Sequence, residues 1–180
     1  IKHRFGSTDE LGLFEMTGAG LVAVADPSQL FLTDRRRGVA GSLIVPTLDG
    51  GRPLLVEVQA LTVEIANGAS GRRTTQGFDS SRLAMLLAVI ERRVDVPANR
   101  HDVYVATVGG VRLGEPGGDL AVALAVMSTI DDVPAAADVV AIGEIGLGGE
   151  VRRVDRVERR LAEAARLGYR RALVPVGAPA

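Results

Sequence analysis

Residues 116–130 read PGGDLAVALAVMSTI, and this stretch decides the fold class. The Pro-Gly-Gly at its start interrupts any preceding element, and a helix can begin at Asp119 and continue to about Ile130. This helix is apolar on almost every side, which indicates that it is buried rather than lying on a surface.

Two more helices are predicted on either side of it. Asp79 is a suitable N-cap residue for the first, whose apolar face holds Leu83, Leu86, Leu87, Ile90 and Val94. The second runs from about Val154 to Leu167 and ends before Gly168, with Val154, Val157, Leu161 and Ala164 at core spacing.

Apolar runs between turn residues predict strands over 10–16, 20–24, 41–45, 54–63, 103–108 and 172–176, and two more within 139–151. The turn cluster at 48–53 predicts a hairpin, and the glycine-rich stretch 67–77 predicts an exposed loop. Strands mixed with a few long helices predict a mixed α+β or α/β domain.

Composition narrows the function classes. The 180 residues are 47% hydrophobic with a mean hydropathy of +0.21, which allows one core, or one core plus a short appendage. Absence of Cys excludes disulfides and thiolate zinc sites, and the only histidines, His3 and His101, fit no metal-ligand pattern. No apolar stretch is long enough for a membrane span, and the first residues lead into a polar turn rather than the apolar run of a signal peptide, so we expect a cytoplasmic domain. Because the sequence begins with Ile rather than Met, we also expect it to be a piece of a longer protein.

The distribution of basic residues is unusual. Lys2 is the only lysine among 21 basic residues, and the arginines cluster at 35–37, 72–73, 92–93 and 152–171. Arginine suits bidentate phosphate contacts, although a genome biased towards arginine codons also explains the excess. The net charge of −1 does not by itself indicate nucleic-acid binding.

Several motifs occur in the order found in one family. The segment Lys2-His3-Arg4-Phe5-Gly6 is similar to the KNRFG motif of the RadA (Sms) family of bacterial DNA-repair proteins, with His3 in place of Asn. The resemblance covers essentially the whole chain and continues through GLFEM (12–16), DPS (26–28), LFL (30–32), LVEVQAL (55–61), VGGV (108–111), EP (115–116), DLA (119–121), GEIGL (143–147) and GEVRRV (149–154).

This resemblance implies two parts. Residues 1–26 would be the end of a RecA-like ATPase core, and residues 27–180 a Lon-protease-like (ribosomal-protein-S5-like) domain. Lon peptidases use a Ser activated by a Lys, and the resemblance places Gly117 at the Ser position and Glu158 at the Lys position. Neither residue can do that chemistry, so an active Ser-Lys peptidase is the least favoured reading.

The family further implies a homo-hexamer that acts on single-stranded and branched DNA with a RecA-type recombinase and promotes branch migration, with no membrane partner. It implies ATP, Mg and Zn for the full-length protein, but no cofactor in this chain, which has no phosphate-binding GxxxxGK[ST] loop. In the KHRFG segment, Lys2 and Arg4 would respond to nucleotide across a subunit boundary; the alternative is an ordinary charged segment.

Candidate DNA contacts are Arg72 and Arg73 on the glycine-rich loop, Arg82 at the start of the next helix, and Arg36. Only 3% of residues are aromatic, so electrostatic contacts to phosphates would have to dominate. The alternative is a purely structural hexamerisation scaffold with no DNA contact. We expect Arg156, Arg159 and Arg160 to lie on a solvated helix face or a subunit contact.

Overall fold

The computed structural model describes residues 14–18, 20–23, 28, 32, 35–49, 51–66 and 71–178. The nucleotide-linked candidates Lys2 and Arg4 lie outside these residues, as does most of the strand predicted over 10–16.

A six-stranded mixed sheet forms the centre of the described structure. Its strands are β3 (Ser42–Asp49), β4 (Arg52–Glu64), β5 (Arg73–Gln76), β6 (His101–Thr107), β7 (Val139–Ala141) and β10 (Arg171–Leu173). Across the sheet they lie in the order β10-β7-β3-β4-β6-β5. Three neighbouring pairs are parallel (β10·β7, β3·β7, β5·β6) and two are antiparallel (β3·β4, β4·β6). The predicted mixed α/β class is therefore confirmed.

Two small antiparallel pairs lie outside this sheet. β1 (Phe14–Thr17) pairs with β2 (Gly20–Ala23), and β8 (Glu144–Ile145) pairs with β9 (Val151–Arg152). The hairpin predicted around residues 48–53 is confirmed, because β3 and β4 pair from Ser42↔Gln59 to Asp49↔Arg52. The loop predicted over 67–77 is partly wrong, since residues 73–76 form the polar edge strand β5.

Two helices begin where the sequence places them. Helix α1 (Ser80–Val94) is capped by the Asp79 side chain, which accepts a hydrogen bond from the backbone N–H of Arg82. Helix α2 (Asp119–Ile130) has the predicted bounds and is largely buried. Val94 was wrongly expected in the core: it is 52% exposed at the last turn of α1.

Helix α3 (Val157–Arg166) starts later than the apolar spacing predicts. Arg156 precedes it in the left-handed region (φ 56°), so Val154 is not helical. Gly168 has φ +88° just beyond the helix, as expected for a residue that ends it.

The two faces of the sheet are covered differently. Helices α1 and α2 pack on the inner face, where Val56, Val58 and Ala60 of β4 point into the main core. On the outer face, Ala164 of α3 packs with Ile44 and Leu55, so α3 covers the β3 side. The β4–β6–β5 part of the outer face stays open, as the 59% exposure of Leu61 shows.

Among the described helices, none combines the length and the apolar character that crossing a bilayer requires.

Candidate functional site

The Pro-Gly-Gly turn before α2 is the place where the family resemblance puts a peptidase nucleophile. Residues Pro116–Gly118 form one 3₁₀ turn, and Gly117 is buried, with its carbonyl accepting a hydrogen bond of 3.0 Å from the N–H of Gly143. A Cβ on Gly117 would lie 3.5 Å from Nη1 of Arg160 and 3.5 Å from Cγ1 of Val154. There is room for a small side chain here, but the nearest polar group is a guanidinium.

Arg160 fills the space next to this turn. Its side chain is fully buried at 0% exposure, although half of the residues of its helix are charged. Nε donates to the carbonyl of Asp155 at 2.9 Å, and Nη1 donates to the carbonyl of Pro46 at 3.1 Å. Nη1 and Nη2 also donate to the two carboxylate oxygens of Glu115, which makes the pair bidentate.

Glu115, the residue directly before the Pro-Gly-Gly turn, is the counterion of this buried arginine. Its Oε1 also accepts hydrogen bonds from Thr47 Oγ1 at 3.0 Å and from the N–H of Leu48 at 3.2 Å. Burial opposes ionisation of this carboxyl, but the hydrogen bonds and positive charge of Arg160, with the bonds from Thr47 and Leu48, lower its pKa below the ordinary value.

The expectation that Arg160 is solvated or at a subunit contact is wrong. Val157, Arg160 and Ala164 are the buried residues of α3, so Arg160 belongs to the core face of the helix. The three- and four-residue spacing to its apolar neighbours could have identified it in the sequence. Glu158, the residue aligned with the peptidase lysine, is exposed.

The chemistry of this arrangement differs from that of a peptidase. A guanidinium stays protonated throughout the physiological range, so Arg160 cannot serve as the base that activates a hydroxyl. All three of its nitrogens already donate to acceptors within the protein. The turn is thus organised as a structural junction between β3, α2 and α3.

A second arginine–carboxylate pair lies on the other side of the turn. Asp119 is fully buried and accepts hydrogen bonds from Arg82 Nε at 2.9 Å, from Arg82 Nη2, and from the N–H of Ile145 at 3.0 Å. The bond to Asp119, opposed by desolvation, raises the pKa of Arg82. Glu144 lies 3.8 Å from the same guanidinium. The predicted DNA candidate Arg82 is thus already engaged inside the protein.

Of the paired arginines Arg72 and Arg73, only Arg73 uses its guanidinium within the protein. Arg73 donates from Nη1 to the carbonyl of His101 at 2.7 Å and from Nη2 to the carbonyl of Ala98 at 3.3 Å, so its guanidinium fastens β5 to the start of β6. Arg72 is bound only through its backbone: its N–H donates to Asp102 Oδ1 at 2.6 Å, and its carbonyl accepts from the N–H of Val103 and from Arg73 Nη1. Its guanidinium is exposed and has no partner among the described residues.

Arg36 is the fourth candidate, and it is also exposed without a partner in the described part of the chain. It lines a pocket of about 530 Å³ on the open part of the outer face, together with Thr74 and Gln76 of β5. Of the four predicted DNA-contacting arginines, Arg36 and Arg72 therefore present free guanidinium groups, and both lie next to β5.

The described residues contain no group of three or more His, Asp or Glu side chains that could hold a metal ion. His101 begins β6, and its Nδ1 lies 2.9 Å from the carbonyl of Pro97.

Known proteins resemble the chain over nearly its whole length. Residues 75–178, more than half of it, match the family described as subunit ChlI of Mg-chelatase. The DNA repair protein RadA of Streptococcus pneumoniae is 47% identical over 97% of this chain and 41% of its own length. RadA of Halalkalibacterium halodurans is 48% identical over 97% of this chain and 38% of its own length.

The chain spans about two fifths of the length of the curated relatives it matches. The chain belongs to the family of the DNA repair protein RadA and, through residues 75–178, to the family described as subunit ChlI of Mg-chelatase.

Proposed function

We propose that this chain is the non-proteolytic, Lon-like module of a hexameric, ATP-dependent DNA-repair protein and that its exposed arginines contact DNA. The observation that carries the proposal is the 46–48% identity to DNA repair protein RadA over at least 97% of the chain. In the whole protein, the module would take part in branch migration of recombination intermediates.

The turn at residues 115–119 supports a role without peptide cleavage. Gly117 supplies no nucleophile, Glu158 is no amine base, and the nearby Arg160 is held in a bidentate pair with Glu115. A module with this turn contributes contacts and shape to an assembly rather than a reaction of its own.

The DNA contact is assigned to the neighbourhood of β5. Arg72 precedes this strand and Arg36 shares a pocket with its residues Thr74 and Gln76. Free guanidinium groups gain counterion-release energy when they reach phosphates, whereas Arg73 and Arg82 would have to break existing bonds first. We therefore rank Arg36 and Arg72 above Arg73 and Arg82.

The remaining roles belong to the longer protein. ATP and Mg would be held by an ATPase region outside this chain, and zinc by another region. Lys2 and Arg4 would approach the nucleotide of a neighbouring subunit. Single-stranded and branched DNA, a RecA-type recombinase and further copies of the chain are the proposed partners.

A scaffold without DNA contact is the second candidate. The engagement of Arg73 and Arg82 in intramolecular bonds favours it, because two of the four candidate guanidinium groups serve the fold. The two functions share the hexamer and differ only in whether the surface binds nucleic acid.

Fluorescence anisotropy of labelled single- and double-stranded DNA separates these functions. We expect the wild-type chain to bind with an affinity that falls steeply with salt, and the Arg36→Ala/Arg72→Ala variant to bind more weakly with a salt slope reduced by up to about 2. The matched control, Arg92→Ala/Arg159→Ala, removes the same charge from exposed positions on α1 and α3.

The oligomeric state is recorded by light scattering in the same samples, since assembly strengthens binding through multiple contacts. Equal losses in both double variants would show that only net charge matters and would contradict the assignment to β5. Assembled rings that bind no DNA even at low salt would establish the scaffold instead.

A further inference from the structure

Glu57 lies in the floor of the pocket on the open outer face and has no use in the function proposed above. Its side chain points to the outer face because it pairs across the sheet with Ile44, which packs under α3 on that face. Only 2% of the residue is exposed, although it carries a carboxylate.

The hydrogen bonds of Glu57 leave one oxygen available. Oε1 accepts from Ser42 Oγ at 2.6 Å and from Gln59 Nε2 at 3.3 Å, whereas no described residue donates to Oε2. In the described residues, every side-chain oxygen that is completely shielded from solvent has a hydrogen-bond partner. Because Oε2 of Glu57 has no such partner, it keeps contact with solvent through the pocket. A carboxylate can accept about four hydrogen bonds, which leaves acceptor capacity directed at the cavity.

No cation of the described chain pairs with Glu57. Arg35 reaches it only indirectly, since its Nε donates to Ser42 Oγ at 3.3 Å. Arg36 lines the same pocket, yet no ion pair joins it to Glu57. Buried carboxylates are normally compensated by a cation, so the floor of this pocket is complementary to a positive group from outside.

The walls of the pocket suit the rest of a long cationic side chain. Tyr104 pairs with Leu61 on one side and with Thr74 on the other, which places its ring on the same open face. A guanidinium can stack on such a ring while donating to a carboxylate, and its methylene stem can lie along exposed Leu61 and Val39. An ammonium is a point charge and would use fewer of these features.

We propose that this pocket binds the guanidinium of an arginine presented by a polypeptide partner. Glu57 accepts the guanidinium, Tyr104 stacks on it, and the exposed apolar residues Val39, Leu61 and Val63 cover the neighbouring part of the partner. The pocket volume of about 530 Å³ accommodates one such side chain with its flanking backbone. The open part of the sheet is thus an arginine-receiving docking face.

NMR titration of the isotope-labelled chain with N-acetyl-arginine methylamide tests this. We expect saturable shifts at Ser42, Glu57, Gln59 and Tyr104. N-acetyl-citrulline methylamide has nearly the same shape without the charge, and we expect it to bind about tenfold or more weakly, because the charged hydrogen bonds are lost. This comparison uses the unmodified chain, so it does not depend on the folding of any variant.

The Glu57→Gln variant should lose the preference for arginine over citrulline, while Glu64→Gln, an exposed position on the same strand, should keep it. Arg36→Ala should bind arginine at least as well as the wild type, since it removes a competing cation from the rim. Equal affinity for both probes, or no shifts at the pocket up to the solubility limit, would overturn the proposal. So would pocket shifts with an oligothymidylate but not with arginine, which would leave this face to the DNA contact proposed above for Arg36.

Discussion

The two arginine–carboxylate pairs beside the Pro-Gly-Gly turn have opposite patterns of burial. In the Arg160–Glu115 pair, the arginine is 0% exposed and the carboxylate 30% exposed. In the Arg82–Asp119 pair, the carboxylate is 0% exposed and the arginine 27% exposed. Removing the outer partner of either pair leaves the inner charge without compensation, which costs more than removing the inner partner.

The difference also shows how the turn is held. Arg160 ties it to α3 on the outer face of the sheet, and Arg82 ties it to α1 on the inner face. The buried helix α2 thus begins at a point fixed from both sides. Variants of the two pairs can show whether both anchors contribute equally.

The largest effect is expected for Glu115→Ala. This change leaves the guanidinium of Arg160 buried with only backbone acceptors, and we expect the free energy of unfolding to fall by about 3–5 kcal/mol. Arg160→Met should cost less, because Glu115 is partly exposed and keeps its bonds to Thr47 and Leu48. Urea unfolding followed by circular dichroism measures both, and equal losses would show that burial does not distinguish the partners.

A smaller loss is expected for Arg82→Met. Asp119 then keeps one hydrogen bond, from the N–H of Ile145, and water can enter where the partly exposed guanidinium was. We expect unfolding free energy to fall by about 1.5–3 kcal/mol. Arg92→Met, an exposed position on the same helix, is the matched control, and a similar loss there would mean that helix propensity rather than the pair is responsible.

The smallest effect is a dependence of stability on pH. The pKa of Glu115 is lower in the folded chain than its ordinary value of 4.5, so its contribution is present above that value and is lost as the pH falls through the folded pKa. Glu115→Gln should therefore show a shallower acid decline of the melting temperature than the wild type. Parallel declines in a pH series would contradict the assignment to this carboxyl.

Local sequence signals predicted much of the fold. Asp79 caps α1 as its position suggests. Helix α2 has the expected bounds because both of its signals, the apolar composition and the preceding Pro-Gly-Gly, lie within the segment itself. The hairpin of β3 and β4 was likewise visible in the turn between two apolar runs. These are all elements whose determinants lie within a few residues.

The errors arose where the determinants are distant in the sequence. Strand β5 is short and polar, and it exists because β6 offers parallel pairing 30 residues later, from Arg73↔Val103 onward. Arg160 is buried because it pairs with Glu115, which lies 45 residues away in the sequence. Arg82 is engaged because it pairs with Asp119, which lies 37 residues away. The spacing of Arg160 to Val157 and Ala164 is a local sign of its burial, but its partner Glu115 and the engagement of Arg82 cannot be inferred from neighbouring residues.

The parallel pairing of Ile44 with Val140 has a consequence for synthesis on the ribosome. Strand β3 is nearly all buried, yet its partner β7 and the covering helix α3 are translated about a hundred residues later. Until residues 139–173 emerge, the nascent chain carries an unpaired apolar strand edge, which is a template for aggregation. A chain shortened before Val139 would keep that edge permanently, so C-terminal truncations should accumulate as insoluble protein.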